Sequence, residues 1–193
     1  QTALRLVDDA LEREIIIANL MASRLTLLYG ASGVGKSSVL NAGVAHQLKK
    51  ITAQNLEKYG EPEFVVVTFR AWRDDPIAKL STAICDAVAE TLRSEPMQPA
   101  ASFLETLQQA TKALSGELLI ILDQFEEYFL YYGQEEGEGT FAVEFPRALN
   151  RPDLRANFLI SIREDALAKL DRFKGRIPNL FENYLRIEHL DPE

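Results

Sequence analysis

Residues 30–38 read GASGVGKSS and fit the pattern G-x-x-x-x-G-K-[ST], with Gly30, Gly35, Lys36 and Ser37 at the fixed places. Residue types at this spacing do phosphate chemistry. Glycines let a backbone wrap a phosphate and point N–H groups at it. The run Gly30, Ala31, Ser32, Gly33, Val34, Gly35, Lys36, Ser37 and Ser38 is therefore the candidate nucleotide cradle. A helix starting inside it adds partial positive charge. Lys36 offers a point charge to the β- and γ-phosphates, and the Ser37 hydroxyl offers a ligand to Mg²⁺. The alternative is a Gly-rich loop ahead of an ordinary helix. An apolar strand before the run and a helix after it is the context that supports a P-loop.

A P-loop needs an aspartate at the end of a neighbouring strand, to hold Mg²⁺ through water. Residues 118–129 read LLIILDQFEEYF, and Asp123 closes the apolar run. Its alternative role is an N-cap at a strand-to-helix turn. The next seat, where a carboxylate would activate water, holds Gln124, which cannot take a proton at neutral pH. Glu126 and Glu127 follow. Either one orients the water, or the two form a solvated first-turn pair favoured by the helix dipole. Glu127 reaches the site only if the turn after Asp123 is tight. Arg163 ends LISIR, on the rim where ligands bind in open α/β sheets. It either senses a γ-phosphate or pairs with Glu164, Asp165 or another rim carboxylate. Arg70 ends FVVVTFR in the same way and is a weaker candidate. Trp72 reads as packing, and neither His46 nor His189 has a catalytic partner near it in sequence.

These residues need elements to position them. RLTLLY (24–29), FVVVTF (64–69), LLIIL (118–122) and NFLISI (157–162) are apolar runs that read as strands buried on both faces. YLRIEHL (184–190) is a short fifth. Between them lie helical patterns: 3–22, KSSVLNAGVAHQLKK (36–50), a segment opened by Asp75 as N-cap and Pro76 at the first helical position, SFLETLQQATKAL, FEEYFLYY, FAVEFPRALN and EDALAKLDRF. GQEEGEG (133–139) predicts a mobile acidic surface loop. Strands alternating with helices predict a three-layer α/β/α sandwich around a mainly parallel five-stranded sheet. One P-loop domain over 1–193 is expected, with a leading helical segment at 1–23 and the nucleotide-binding core at 24–193.

Bulk properties narrow the function. A net charge of -8 and a single adjacent basic pair, Lys49–Lys50, argue against a nucleic-acid footprint. The one cysteine, Cys85, cannot form an internal disulfide and sits in an apolar helical pattern, as a small buried hydrophobe in a reduced compartment does. No run approaches the roughly 18 apolar residues of a membrane span. No signal peptide is visible, so a cytoplasmic location is expected. The start at Gln1 and the end at HLDPE suggest a piece of a larger protein.

Several stretches resemble bacterial STAND NTPases of the novel type, relatives of NACHT, NB-ARC and AAA+ ATPases. SRLTLLYGASGVGKSSVLNAGV is similar to their P-loop segment, and LLIILDQFEEYF to their second acidic motif with its D-Q-F-E-E hallmark. TFRAWRDDPIAKL and NFLISIREDALAKL resemble the segments after their second and fourth strands. LEREIII is similar to their G-R-E-x-E-I motif, with Leu11 where glycine is usual and Arg13 on the adenine side. The resemblance implies ATP or ADP with Mg²⁺ as ligands. It also implies Lys36, Ser37 and Asp123 at phosphate and metal, Glu126 and Glu127 as the acidic pair assisting hydrolysis, and Arg163 as a sensor-like arginine. It further implies a slowly hydrolysing signalling switch, closed with ADP and opened by ATP. Such a switch is coupled to effector, helical and sensor domains and to nucleotide-dependent homo-oligomers, with roles that include antiviral defence. Two other readings stand beside it. One is a module that holds nucleotide without hydrolysis. The other is a P-loop kinase or metabolic ATPase, which would need a basic substrate lid.

Overall fold

A computed structural model describes residues 2–188, with side chains from Ala10 onward. Helix α1 (Thr2–Ala22) leads into β1 (Leu25–Gly30). After the P-loop come α2 (Lys36–Ser38), a π-helical segment (Val39–Ala45) and α3 (His46–Tyr59) as one run. The order continues β2 (Phe64–Phe69), α4 (Pro76–Leu92), α5 (Phe103–Leu114), β3 (Glu117–Leu122), α6 (Glu126–Tyr132), α7 (Phe141–Leu149) and β4 (Ala156–Arg163). A 3₁₀ helix (Glu164–Phe173) and β5 (Tyr184–Ile187) end it.

The five strands form one sheet in the order β2-β3-β4-β1-β5, and every pairing is parallel. Parallel pairing places all the carboxyl ends on one rim, which is where both motifs lie. The apolar runs are continuous because helices cover both faces. On one face α4, α5 and α7 bury Leu80, Leu107 and Phe145 against Val67, Ile120 and Phe158. On the other, α1, the π segment and α3 bury Ile16, Leu40 and Leu48 against Leu28, Ile121 and Leu159. The three-layer sandwich is thus observed.

Asp123 does not follow a neighbour of β1. The sheet inserts β4 between β1 and β3, so the expected adjacency is replaced by a one-strand gap. Register closes the gap functionally: Gly30 pairs with Arg163, and Leu122 with Ile160.

Local differences have local causes. The helix after the P-loop does not stop at residue 50. ITAQNLEKY is made largely of helix formers, and the run ends at Gly60, whose N–H bonds the Leu56 carbonyl. EDALAKLDRF winds as a 3₁₀ helix rather than an α-helix. The acidic loop at 133–139 is tied down rather than loose. Glu135 accepts from the Tyr128 hydroxyl at 2.9 Å, and Arg147 Nη2 donates to both carboxylate oxygens of Glu138 at 2.9 and 2.8 Å. Arg172 donates to the carbonyls of Gly133 and Glu135. The N-cap is as expected: Asp75 accepts from the Ala78 N–H ahead of Pro76. Pro146 lies inside α7 and has no N–H to offer the Ala142 carbonyl one turn back. Arg176 Nη1 donates to that carbonyl instead, at 3.1 Å. Residue 190, the expected end of the fifth strand, lies outside the described residues, as does His189. Cys85 is buried, and among the described residues no helix is long and apolar enough to cross a membrane.

Candidate nucleotide site

The P-loop leaves β1 at Gly30 under a steric constraint. A Cβ there would lie 2.5 Å from the Ile187 carbonyl oxygen of β5, so only glycine lets the sheet close beside the loop. Gly35 has φ 86°, the left-handed turn that aims the backbone into α2. Lys36 Nζ donates to the Gly30 and Ala31 carbonyls, both at 3.0 Å, folding back over its own loop. Burial lowers the Lys36 pKa, while Glu126 and then Asp123 pull it back up and Arg163 pushes it down. Neutral carbonyls are weaker partners for an ammonium than an anionic phosphate would be.

Asp123 is 2% exposed. Its N–H donates to the Phe69 carbonyl at 2.8 Å, and its own carbonyl accepts from Trp72 Nε1 at 2.7 Å. Oδ1 accepts from the Gln124 N–H at 2.9 Å, and Oδ2 faces Asn41 Nδ2 at 3.4 Å. Asn41 also donates to the Ser37 carbonyl at 2.8 Å, so it links Ser37 to Asp123. Trp72 packs, as expected, edge-on to Phe69 and Phe125 at 5.0 Å. It also anchors the aspartate backbone, a role that sequence reasoning misses. A buried tryptophan needs an acceptor for its N–H, and that is the signal the sequence offers. The signal for Asn41 is its place one helical turn after Ser37, on the same face.

Gln124 has φ 53°, a left-handed turn for a non-glycine residue. The Phe125 N–H then donates to the Ser161 carbonyl at 2.9 Å, which pins the turn to β4. The turn is tight, the condition set for Glu127 to reach the site, yet of the two glutamates it is Glu126 that lies in the cavity lining. Glu126 lines the cavity beside the P-loop, and its Oε2 accepts from the Arg163 N–H at 3.3 Å. Glu127 is not among the cavity-lining residues. Arg163 lines the cavity, and its Nε donates to Asp165 Oδ1 at 3.0 Å, so the ion pair named as its alternative role is present.

The cavity has a volume of about 270 Å³. Ser32, Gly33 and Gly35 to Ser38 form one wall, and Asp123, Gln124 and Glu126 the other, with Ser161 and Arg163 between. Ala31 and Val34 are outside that lining, and so is Arg70, which is exposed. Arg13 is also outside it. Its stem lies against Gly43 in the π segment, 3.4 Å from where a Cβ would be. His46 is exposed on α3. Among the described residues no three His, Cys, Asp or Glu side chains cluster as a self-sufficient metal site. One hydroxyl and one carboxylate lining the same cavity, Ser37 and Asp123, are instead the hard, sparse donors that suit Mg²⁺, which keeps its waters and shares phosphate oxygens.

The sequence profile of the family described as Novel STAND NTPase 1 matches residues 10–192. The chain belongs to this family. Solved structures with the same fold include the ORC2 protein of Aeropyrum pernix in ADPNP–ADP complexes, at 15% identity and TM-score 0.58, covering 94% of this chain and 46% of that one. The Walker-type ATPase PABY2304 of Pyrococcus abyssi aligns at 19% identity and TM-score 0.53, covering 93% of this chain and 53% of that one. This STAND core therefore spans about half the length of the structures it resembles. No curated protein matches its sequence. By family and by fold, it is a nucleotide-binding NTPase core of the P-loop class.

Proposed function

We propose that this STAND core binds ATP or ADP with Mg²⁺ and hydrolyses ATP slowly, as the nucleotide-held part of a signalling switch. The observation that carries the reading is the turn at Asp123–Gln124. It puts an amide in the seat next to the metal-side aspartate and leaves Glu126 as the cavity's second carboxylate, with one oxygen engaged by the Arg163 N–H. Lys36 binds the β- and γ-phosphates, Ser37 and Asp123 hold the metal, and Glu126 orients the water. Glu127 has no contact with the cavity and supports α6. Arg163 reads the γ-phosphate once its guanidinium exchanges Asp165 for an anion. Arg13 lies outside the cavity lining and belongs on the nucleoside side, as the family resemblance implies.

A lone core lacks any charge supplied by another subunit, and an arginine supplied in trans is worth about 10³-fold or more in phosphoryl transfer. Slow turnover by the isolated chain, release by effector, helical and sensor domains, ATP-dependent homo-oligomers and a cytoplasmic antiviral role form one consistent reading. The second reading is nucleotide holding without hydrolysis, favoured by the engaged Glu126 oxygen. Single-turnover hydrolysis of γ-labelled ATP decides between them. We expect release of one phosphate per chain at below about 1 per minute, far under a median enzyme rate of about 10 per second, and its loss in Glu126→Gln with binding retained. No phosphate after many hours would establish the holding module. Several turnovers per second would refute the switch.

A further inference from the structure

Ser161 is the unexplained residue of the cavity. It sits in ANFLISIR, a strand whose other central positions are apolar, and is 1% exposed. Its hydroxyl has no hydrogen-bond partner, and it lines the nucleotide cavity. Buried hydroxyls are normally paired, and an orphan lowers the stability of the fold that keeps it. An alanine or valine would pack that position without this penalty.

Its place in the sheet indicates what it could bond. Leu28 on β1 is its register partner, two residues below Gly30. On the other side Leu122 pairs with Ile160, and the Phe125 N–H bonds the Ser161 carbonyl, so the Asp123 turn lies directly alongside. Alternation puts Ser161 on the face of Leu159, and Asp123 on the face of Ile121, and both of these belong to the same core cluster. Ser161 and the Asp123 carboxylate therefore share a face and a level, under the end of the P-loop that carries Ser37.

We propose that Ser161 is a positioning residue for the metal side of the site, its Oγ hydrogen-bonding a water of the Mg²⁺ shell that Asp123 also holds. This rests on the nucleotide reading above. Mg²⁺ gives up its waters reluctantly, and each bridging water has two hydrogens to place. Asp123 accepts one, and a hydroxyl beside it accepts the other.

The test measures affinity of the same chain for fluorescent ADP and ATP analogues, with Mg²⁺ and with EDTA, in wild type and Ser161→Ala. With Mg²⁺ the variant should bind both nucleotides about tenfold more weakly, the scale of one hydrogen bond in a charged network. With EDTA it should match wild type. The nucleotide-free variant should melt at the same temperature as wild type or higher, because a buried unpaired hydroxyl is gone. Equal affinities with Mg²⁺ would overturn the proposal. So would a loss confined to ATP that survives EDTA, which would assign the hydroxyl to the γ-phosphate. A lower melting temperature without nucleotide would count against it too, by revealing a structural partner. Wild-type chain that binds no nucleotide in any condition would instead refute the underlying reading.

Discussion

Trp72→Phe separates the two roles of one buried side chain. The phenyl ring keeps most of the edge-on packing against Phe69, Phe125 and Phe141, whose rings lie 5.0, 5.0 and 5.5 Å away. It removes the Nε1–H that donates to the Asp123 carbonyl at 2.7 Å. A buried acceptor left without its donor costs about 1–3 kcal/mol. The smaller ring leaves a void worth roughly another 1–2 kcal/mol, at about 0.8 kcal/mol per lost methylene-sized group. The sum, about 2–5 kcal/mol, is a large part of a domain stability of about 5–15 kcal/mol. For a chain of this size it lowers Tm by roughly 5–15 °C. The Asp123 backbone retains its bond to the Phe69 carbonyl, so the carboxylate loosens rather than leaves. Affinity for Mg²⁺·ATP should fall about three- to tenfold, while affinity in EDTA stays near wild type. Scanning calorimetry and nucleotide titration are run beside a packing control, Phe145→Leu, which makes a void in the same core without touching Asp123. The reasoning fails if Trp72→Phe loses stability but binds Mg²⁺·ATP like wild type, or if the control weakens Mg²⁺-dependent binding equally.

Mg²⁺ with ATP or ADP should raise the Tm of the wild-type chain through mass action, and Lys36→Ala should remove most of that rise; an unchanged rise would refute the phosphate role of Lys36. Glu127→Gln should leave both binding and residual hydrolysis within about twofold of wild type, and a loss matching that of Glu126→Gln would show that the tight turn does not select between them. Arg176→Ala should cost about 1–2 kcal/mol in urea unfolding, because the Ala142 carbonyl loses its substitute donor. The cost should shrink in a Pro146→Ala background, where the helix restores its own N–H, and full additivity would contradict that compensation. Random duplex DNA should not bind at sub-micromolar concentration in physiological salt, given the net charge of -8. A sub-micromolar complex would mean a basic surface that composition hides.

Much of the architecture is legible in the residue pattern alone. GASGVGKSS sits where a loop must leave a buried strand, and Asp75–Pro76 is an N-cap pattern that the backbone adopts. Continuous apolar runs require helices on both faces, so the layered parallel sheet follows from composition and period. These inferences succeed because they depend on residues a few positions apart. Strand limits fall within a residue of the apolar runs for the first four strands, whereas helix type is less legible. The π turn after Ser38 and the 3₁₀ winding after Arg163 lie in stretches whose residue pattern reads simply as α-helix.

What the sequence by itself determined is which chemical groups the chain owns: a phosphate loop, a carboxylate at a strand end, two later glutamates and a strand-end arginine. What only the tertiary structure decided is which of them meet. Strand order placed β4 between β1 and β3, and so brought Ser161 and Arg163 between the P-loop and Asp123. The left-handed turn at Gln124 brought Glu126, and not Glu127, to the cavity. Trp72 reached the Asp123 carbonyl across 51 residues of chain, and Arg176 reached the Ala142 carbonyl across 34. The physical reason is common to all of these. Local propensity acts through neighbouring dihedrals and helical or strand period. A hydrogen bond between distant segments exists only after the sheet has ordered its strands, and many sequences with the same local pattern could order them differently.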